Sequence, residues 1–213
     1  MSLKNRFKII KEFEAIPTSV LSDVLNRGQV INPQIKPYNL LAGQRIAGFA
    51  FTVEAMAGCN WGAHLALYKA KSYNILVIDG KGYTRNSIWG GLQTYVAVKR
   101  RIRAVIIDGS FRDLEEIREL KYCLCAKAIT CAGPHKGWRD KLQAPISCGN
   151  VVIHPDDLII IDKDGIVVVA EDKIKETIKK AKERIKMEEG WKRRIDKGEI
   201  FYKILKLDKK FKK

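Results

Sequence analysis

The chain has 213 residues, 46% of them hydrophobic and 30% charged, with a formal net charge of +16. That length is enough to bury a real core, and no apolar run approaches the roughly 18 residues that cross a bilayer. The start, "MSLKNRFKIIKEF", has no signal-peptide core, so a cytoplasmic protein without a membrane partner is expected. In chain order, residues 4–15 put Phe7, Ile10 and Phe13 on one helical face. "IPTSVLSDVL" predicts a second short helix, capped by Thr18 or Ser19 and ending before Gly28. Residues 29–44 read as a proline-punctuated loop. "RIAGFAFTVEA" predicts a strand with Phe49, Phe51, Val53 and Ala55 on one buried face. "GAHLALYKA" predicts a helix, and "NILVIDG" a buried strand ending in Asp79. "SIWGGLQTYVAVKRR" then reads as a helix after a glycine-bearing turn. "RAVIIDG" is a buried strand ending in Asp108, "RDLEEIREL" a helix and "YCLCAKAI" a strand. "NVVIHPDDLIIIDKDGIVVVA" gives three short strands, with Asp164-Gly165 as a hairpin signal.

Strand–helix alternation over 62–128 implies βαβ units and a parallel sheet. One α/β domain is expected, with a core over 1–170 and a basic helical extension of the same domain over 171–213. Residues 173–213 carry 17 Lys and Arg against 7 Asp and Glu. The apolar residues interleaved there at helical spacing point to a solvated helix face rather than a base-stacking surface. The five cysteines are odd in number, and Cys123-x-Cys125 is not zinc-ligand spacing, so structural thiols are expected.

Ligands of open α/β sheets gather beyond the carboxyl ends of the strands. Two such ends, "IDGKGYTRNSIWGG" and "IDGSFRD", carry the chemistry here. Amides after Gly90-Gly91 suit a carboxylate. Arg112 offers a planar fork for an anion. Asp113 offers a hard oxygen for Mg²⁺ or Mn²⁺. Side by side they suit a ligand with a carboxylate next to a carbonyl, although aspartate in a first helical turn also favours the helix dipole without any ligand. His64 and His154 read as structural, and His135 as a neighbour of the site.

The spacing Gly91, twenty residues, Arg112-Asp113, two residues, Glu116 resembles the G/D-x20-R-D-x2-E/D motif of the family of regulator of ribonuclease activity A and the 4-hydroxy-4-methyl-2-oxoglutarate aldolases. "SVLSDVL", "IAGFAFTVEA", "WGGL", "AGPHK" and "HPDDLIIIDKDGIVVV" follow in that family's order. The resemblance implies a swivelling β/β/α fold assembled as a homotrimer or hexamer with sites between subunits. It implies a metal on Asp113, Arg112 on the keto oxygen of a pyruvate-like ligand, and its carboxylate on the amides of Leu92 and Gln93. Lys136 would meet a distal carboxylate, and Glu188 or Glu189 of a neighbouring subunit would complete the metal's surroundings. The implied activity is that of a lyase, either an aldolase or an oxaloacetate decarboxylase, working through a pyruvate enolate. A non-catalytic regulator of a ribonuclease or RNA-processing partner is the alternative. Family members marked as aldolases carry Asp or Glu where this chain has Gly91, which tilts the expectation towards decarboxylation or weak aldol cleavage.

Overall fold

The computed structural model describes residues 1–138 and 140–210; residues 211–213 of the expected extension lie outside the described residues. Helix α1 (Leu3–Glu14) starts at Ser2, whose hydroxyl accepts from the Asn5 amide, and it buries Ile10 and Phe13. Helix α2 (Thr18–Val24) follows Pro17. The expected hydroxyl cap is not formed: Thr18 donates its N–H and its O–H to the Asp162 carboxylate, at 2.9 and 2.5 Å. A distant aspartate thus satisfies the helix start, which local sequence cannot announce.

The centre is a run of βαβ units: β1 (Lys36–Pro37), β2 (Ile46–Glu54), α3 (Trp61–Lys69), β3 (Asn74–Trp89), α4 (Gly91–Lys99), β4 (Ala104–Phe111), α5 (Leu114–Glu119) and β5 (Leu124–Ile129). Strands β2, β3, β4 and β5 are mutually parallel. Then come β6 (Lys141–Leu142), β7 (Ile146–Cys148), β8 (Val151–Ile153), β9 (Leu158–Ile161) and β10 (Ile166–Val169), before α6 (Ile174–Asp196), α7 (Phe201–Ile204) and α8 (Leu207–Lys210). The eight-stranded sheet runs β1-β5-β4-β3-β2-β9-β10, with β6 on β2. A bridge from Val30, just ahead of one edge strand, to Val167 in the other brings the edges together, so the sheet is nearly closed. The β9–β10 hairpin turns at Asp164-Gly165 as expected.

Near-closure explains why β2 is buried on both faces rather than one. Odd and even positions of the parallel strands enter different cores. Ile75 and Val77 of β3, with Ala104 and Ile106 of β4, face an interior cluster shared with Cys125 and Cys148. Leu76, Ile78, Val105 and Ile107 face the layer of α3, α4 and α5. Phe49 belongs to a third cluster, with α1, α2 and α6. Burying each such side chain contributes about 1.5–3 kcal/mol. The long β3 is a correction: "KGYTRNSIW" extends the strand to Trp89, and α4 begins only at Gly91. In α6, Ile178 and Ile185 pack on the chain's own third cluster, whereas Ile195 is exposed. All five cysteines are free, and only Cys131 is exposed.

Candidate active site

The turn after β3 and the turn after β4 are stitched together. Trp89 Nε1 donates to Thr94 Oγ1 at 2.8 Å, and that hydroxyl donates to the Gly90 carbonyl at 3.0 Å. The Arg112 amide donates to the Trp89 carbonyl at 3.0 Å. The Gly91 amide donates to Asp113 Oδ2 at 2.9 Å. Asp113 is left-handed, with φ 63° and ψ 44°, and makes no cap bond to its own helix α5. Aspartate tolerates that backbone better than most residues. Its carboxylate therefore caps the neighbouring helix α4 instead of dressing the helix it precedes, as the sequence had allowed.

Asp113 Oδ1 has no partner among the described residues, and Arg112 Nε lies 3.6 Å from Oδ2. The amides of Leu92 and Gln93, at the positive end of α4, donate to no acceptor among the described residues, as expected of a helix start. Lys136 arrives on a segment held by two backbone bonds of His135, one from its N–H to Gly58 O (2.8 Å) and one from Asn60 N–H to its carbonyl (3.2 Å). Gly90, Gly91, Leu92, Gln93, Arg112, Asp113 and Lys136 all line one cleft of about 380 Å³. All seven expected positions in the chain's own part of the site are thus brought together.

Other expectations fare differently. Glu188 is held by Arg184 at 2.7 Å on α6, lining a separate cleft with Trp191 and Phe201, and Glu189 is exposed. Neither lies in the cleft of its own chain. His135 contributes backbone only, while His64, read as structural, lines the cleft with Asn60. Asn60 Nδ2 lies 3.2 Å from His64 Nε2. Partial burial, reinforced by the charge of Lys136, pushes the His64 imidazole below its ordinary value of 6.5. No sequence signal marked Asn60; it enters the cleft because it starts α3 beside the start of α4.

Gly91 is not left-handed; space, not torsion, makes it special. A Cβ built there would lie 1.8 Å from Glu116 Oε2 and 2.2 Å from its Cδ. The glutamate of the motif thus occupies the volume in which a side chain at position 91 would stand.

These features define a class: an α/β protein with an anion-suited cleft outside the carboxyl ends of its parallel strands. The chain belongs to the RraA-like family, described as Aldolase/RraA, whose model matches residues 18–168. A candidate 4-hydroxy-4-methyl-2-oxoglutarate aldolase of Halalkalibacterium halodurans is 32% identical over 87% of this chain and 88% of its own length. A solved structure described as the RNA-processing inhibitor RraA of Thermus thermophilus has a TM-score of 0.66 at 26% identity, covering 72% of this chain and 92% of that one. An uncharacterized protein of Pseudomonas syringae reaches a TM-score of 0.82 at 24% identity over 94% and 93%, which shows the fold alone. Among the described residues no helix is long and apolar enough to cross a membrane.

Proposed function

We propose that the chain is a divalent-metal-dependent carbon–carbon lyase acting on 2-oxo acids. The reading takes in aldol cleavage of a 4-hydroxy-2-oxo acid, such as the 4-hydroxy-4-methyl-2-oxoglutarate of its relative's name, and decarboxylation of oxaloacetate. One observation carries it: Arg112, the open Oδ1 side of Asp113 and the unengaged amides of Leu92 and Gln93 converge on a single cleft. The donor set fits Mg²⁺ or Mn²⁺, because such ions are held by one or two carboxylates together with water and substrate oxygens. Asp113 would hold the ion, with Glu188 or Glu189 of a neighbouring subunit. When bound, the ion would act as a Lewis acid on the 2-oxo acid head.

The chain's own residues have separate tasks. The Leu92 and Gln93 amides hold the carboxylate at the end of α4. Arg112 donates to the keto oxygen and stabilises the charge that grows on it as an enolate forms, more than it stabilises the ketone. Lys136 attracts a distal carboxylate. Leu92 (81% exposed), Tyr95 and Val96 form an apolar rim beside the cleft. A second copy would cover it, which supports assembly as a trimer or hexamer with shared sites. The test is pyruvate release from oxaloacetate and from 4-hydroxy-2-oxoglutarate, with and without EDTA. Release that EDTA leaves untouched overturns the metal; no release from either substrate overturns the lyase. The second reading, a regulator binding a ribonuclease, draws on Gly91, which brings no carboxylate of its own to the cleft. Retention of a ribonuclease by a catalytically silent chain would favour it.

A further inference from the structure

Helices α1 and α6 lie side by side, and each presents a row of lysines. On α1, Lys4, Lys8 and Lys11 recur at i, i+4 and i+7, and all three are exposed. On α6, Lys175, Lys179, Lys182 and Lys186 recur at i, i+4, i+7 and i+11, again all exposed. That spacing puts each row on one face of its helix. The rows adjoin: Lys8 and Lys175 border one groove of about 500 Å³, and Lys182 Nζ reaches Glu12 Oε2 at 3.0 Å. Neighbouring carboxylates are engaged off the rows. Glu14 pairs with Arg103, and Glu176 with Lys180 at 2.6 Å. Among the described residues, Lys182 alone of the seven has a carboxylate within ion-pair distance, and of the acids on α1 and on α6 up to Lys186 only Glu183 has no cation. This arrangement disfavours the helices by themselves. Like charges at i, i+4 repel. Lys4 and Lys175 also stand in first helical turns, where the helix dipole favours acids. An anionic partner would offset both terms.

We propose that the α1–α6 face binds the phosphate backbone of double-helical nucleic acid without reading its bases. The α6 row runs about 16 Å, at about 1.5 Å per residue. A duplex carries a phosphate about every 1.7 Å of its axis, both strands counted. Several lysines thus meet phosphates at once, and each contact releases condensed counterions. Neither row holds an aromatic residue, so the face offers no platform for the stacked bases of a single strand. The apolar stripes of both helices pack on the core, with Ile10 and Phe13 on α1 and Ile174, Ile178 and Ile185 on α6. They are therefore not free to sink into a bilayer, as the apolar face of a membrane-surface helix does. The inference is independent of the lyase reading, because none of these lysines lines the cleft of Arg112 and Asp113. The α6 row also ends before Glu188 and Glu189, the part of the helix proposed to reach a neighbouring subunit.

The experiment reads fluorescence anisotropy of labelled DNA and RNA duplexes of equal length, each in two unrelated sequences, against the full chain. All four should bind alike, with Kd of about 10⁻⁴–10⁻⁶ M at physiological salt. On DNA, the slope of log K against log salt should be about −3 to −5, as three to six phosphate contacts give. The triple variant Lys175→Gln, Lys179→Gln, Lys186→Gln should make that slope shallower by about 2–3 and weaken binding at least about tenfold. Lys4→Gln, Lys8→Gln, Lys11→Gln should act in the same direction, and it decides the matter if the first variant does not fold. A control, Lys36→Gln, Lys69→Gln, Lys121→Gln, removes the same charge from exposed positions off both helices. Screening should hold its effect below about threefold. Equal weakening by the control overturns the face in favour of diffuse charge. Failure of every duplex to bind overturns the proposal, as does a preference above about tenfold for one sequence or for one of the two sugars. Vesicles of equal parts phosphatidylcholine and phosphatidylserine should bind more weakly than the duplexes; tighter binding to them makes the face a membrane surface and overturns it too.

Discussion

Asp79 and Asp108 stand at corresponding places in β3 and β4, and Asp113 lies only five residues past Asp108, yet their surroundings differ in kind. Asp79 accepts from the Lys81 amide at 2.9 Å and pairs with its ammonium at 2.6 Å. Asp108 pairs with Lys127 at 2.7 Å and accepts from the Gly149 amide at 2.8 Å. The alternation of the strands turns both towards the interior cluster, where burial, helped by the charges of Asp108 and Asp79, pushes the Cys148 thiol well above its ordinary range. Asp113 comes after the last strand residue, free of that alternation, with one oxygen on Gly91 and the other open. Buried carboxylates must be fully paired, whereas a half-exposed one can leave an oxygen for a ligand. Position relative to the strand end, not residue type, separates scaffold from candidate site.

The sharpest break of this contrast is Asp113→Asn. Asparagine keeps an acceptor for the Gly91 amide and tolerates the left-handed backbone, so melting should hardly move. Metal-dependent pyruvate release should fall by at least about 10²-fold; full activity would erase the distinction. The converse is Asp108→Asn, which leaves Lys127 partly buried without its countercharge. Urea unfolding should show a loss of about 2–4 kcal/mol, with activity per folded molecule preserved. A smaller effect tests the packing of the motif. Gly91→Asp should turn the exposed Glu116 side chain aside and set two carboxylates close together, a modest loss that Glu116→Ala should relieve, with a coupling of about 0.5–3 kcal/mol in a double-mutant cycle. Additive losses would mean that Glu116 swings aside freely. The smallest signal belongs to His64. Its ring resonances should titrate below 6.5. Because the fold disfavours the protonated ring, its share of stability is complete above that value and declines as pH falls below it. A ring titrating at or above 6.5 would contradict the partial burial of His64 beside Lys136.

Most strands and helices were legible because their apolar periods are strong, and the Arg112-Asp113 pair because its spacing from Gly91 is distinctive. Three things were not. The polar stretch "KGYTRN" hid the continuation of β3, since its pairing with β4 passes through register shifts and its side chains are largely exposed. Asn60 and His64 sit far along the chain from Arg112 and meet it only through helix packing. The left-handed turn of Asp113 accompanies its bond to Gly91, a contact between residues 22 apart.

The volume above Gly91 has a further consequence. Glu116 fills it only with the far end of an exposed side chain, so an acid at 91 is compatible with glutamate at 116 once that one rotamer turns away. How many acidic groups the end of β3 can present is therefore set by the orientation of a single flexible side chain.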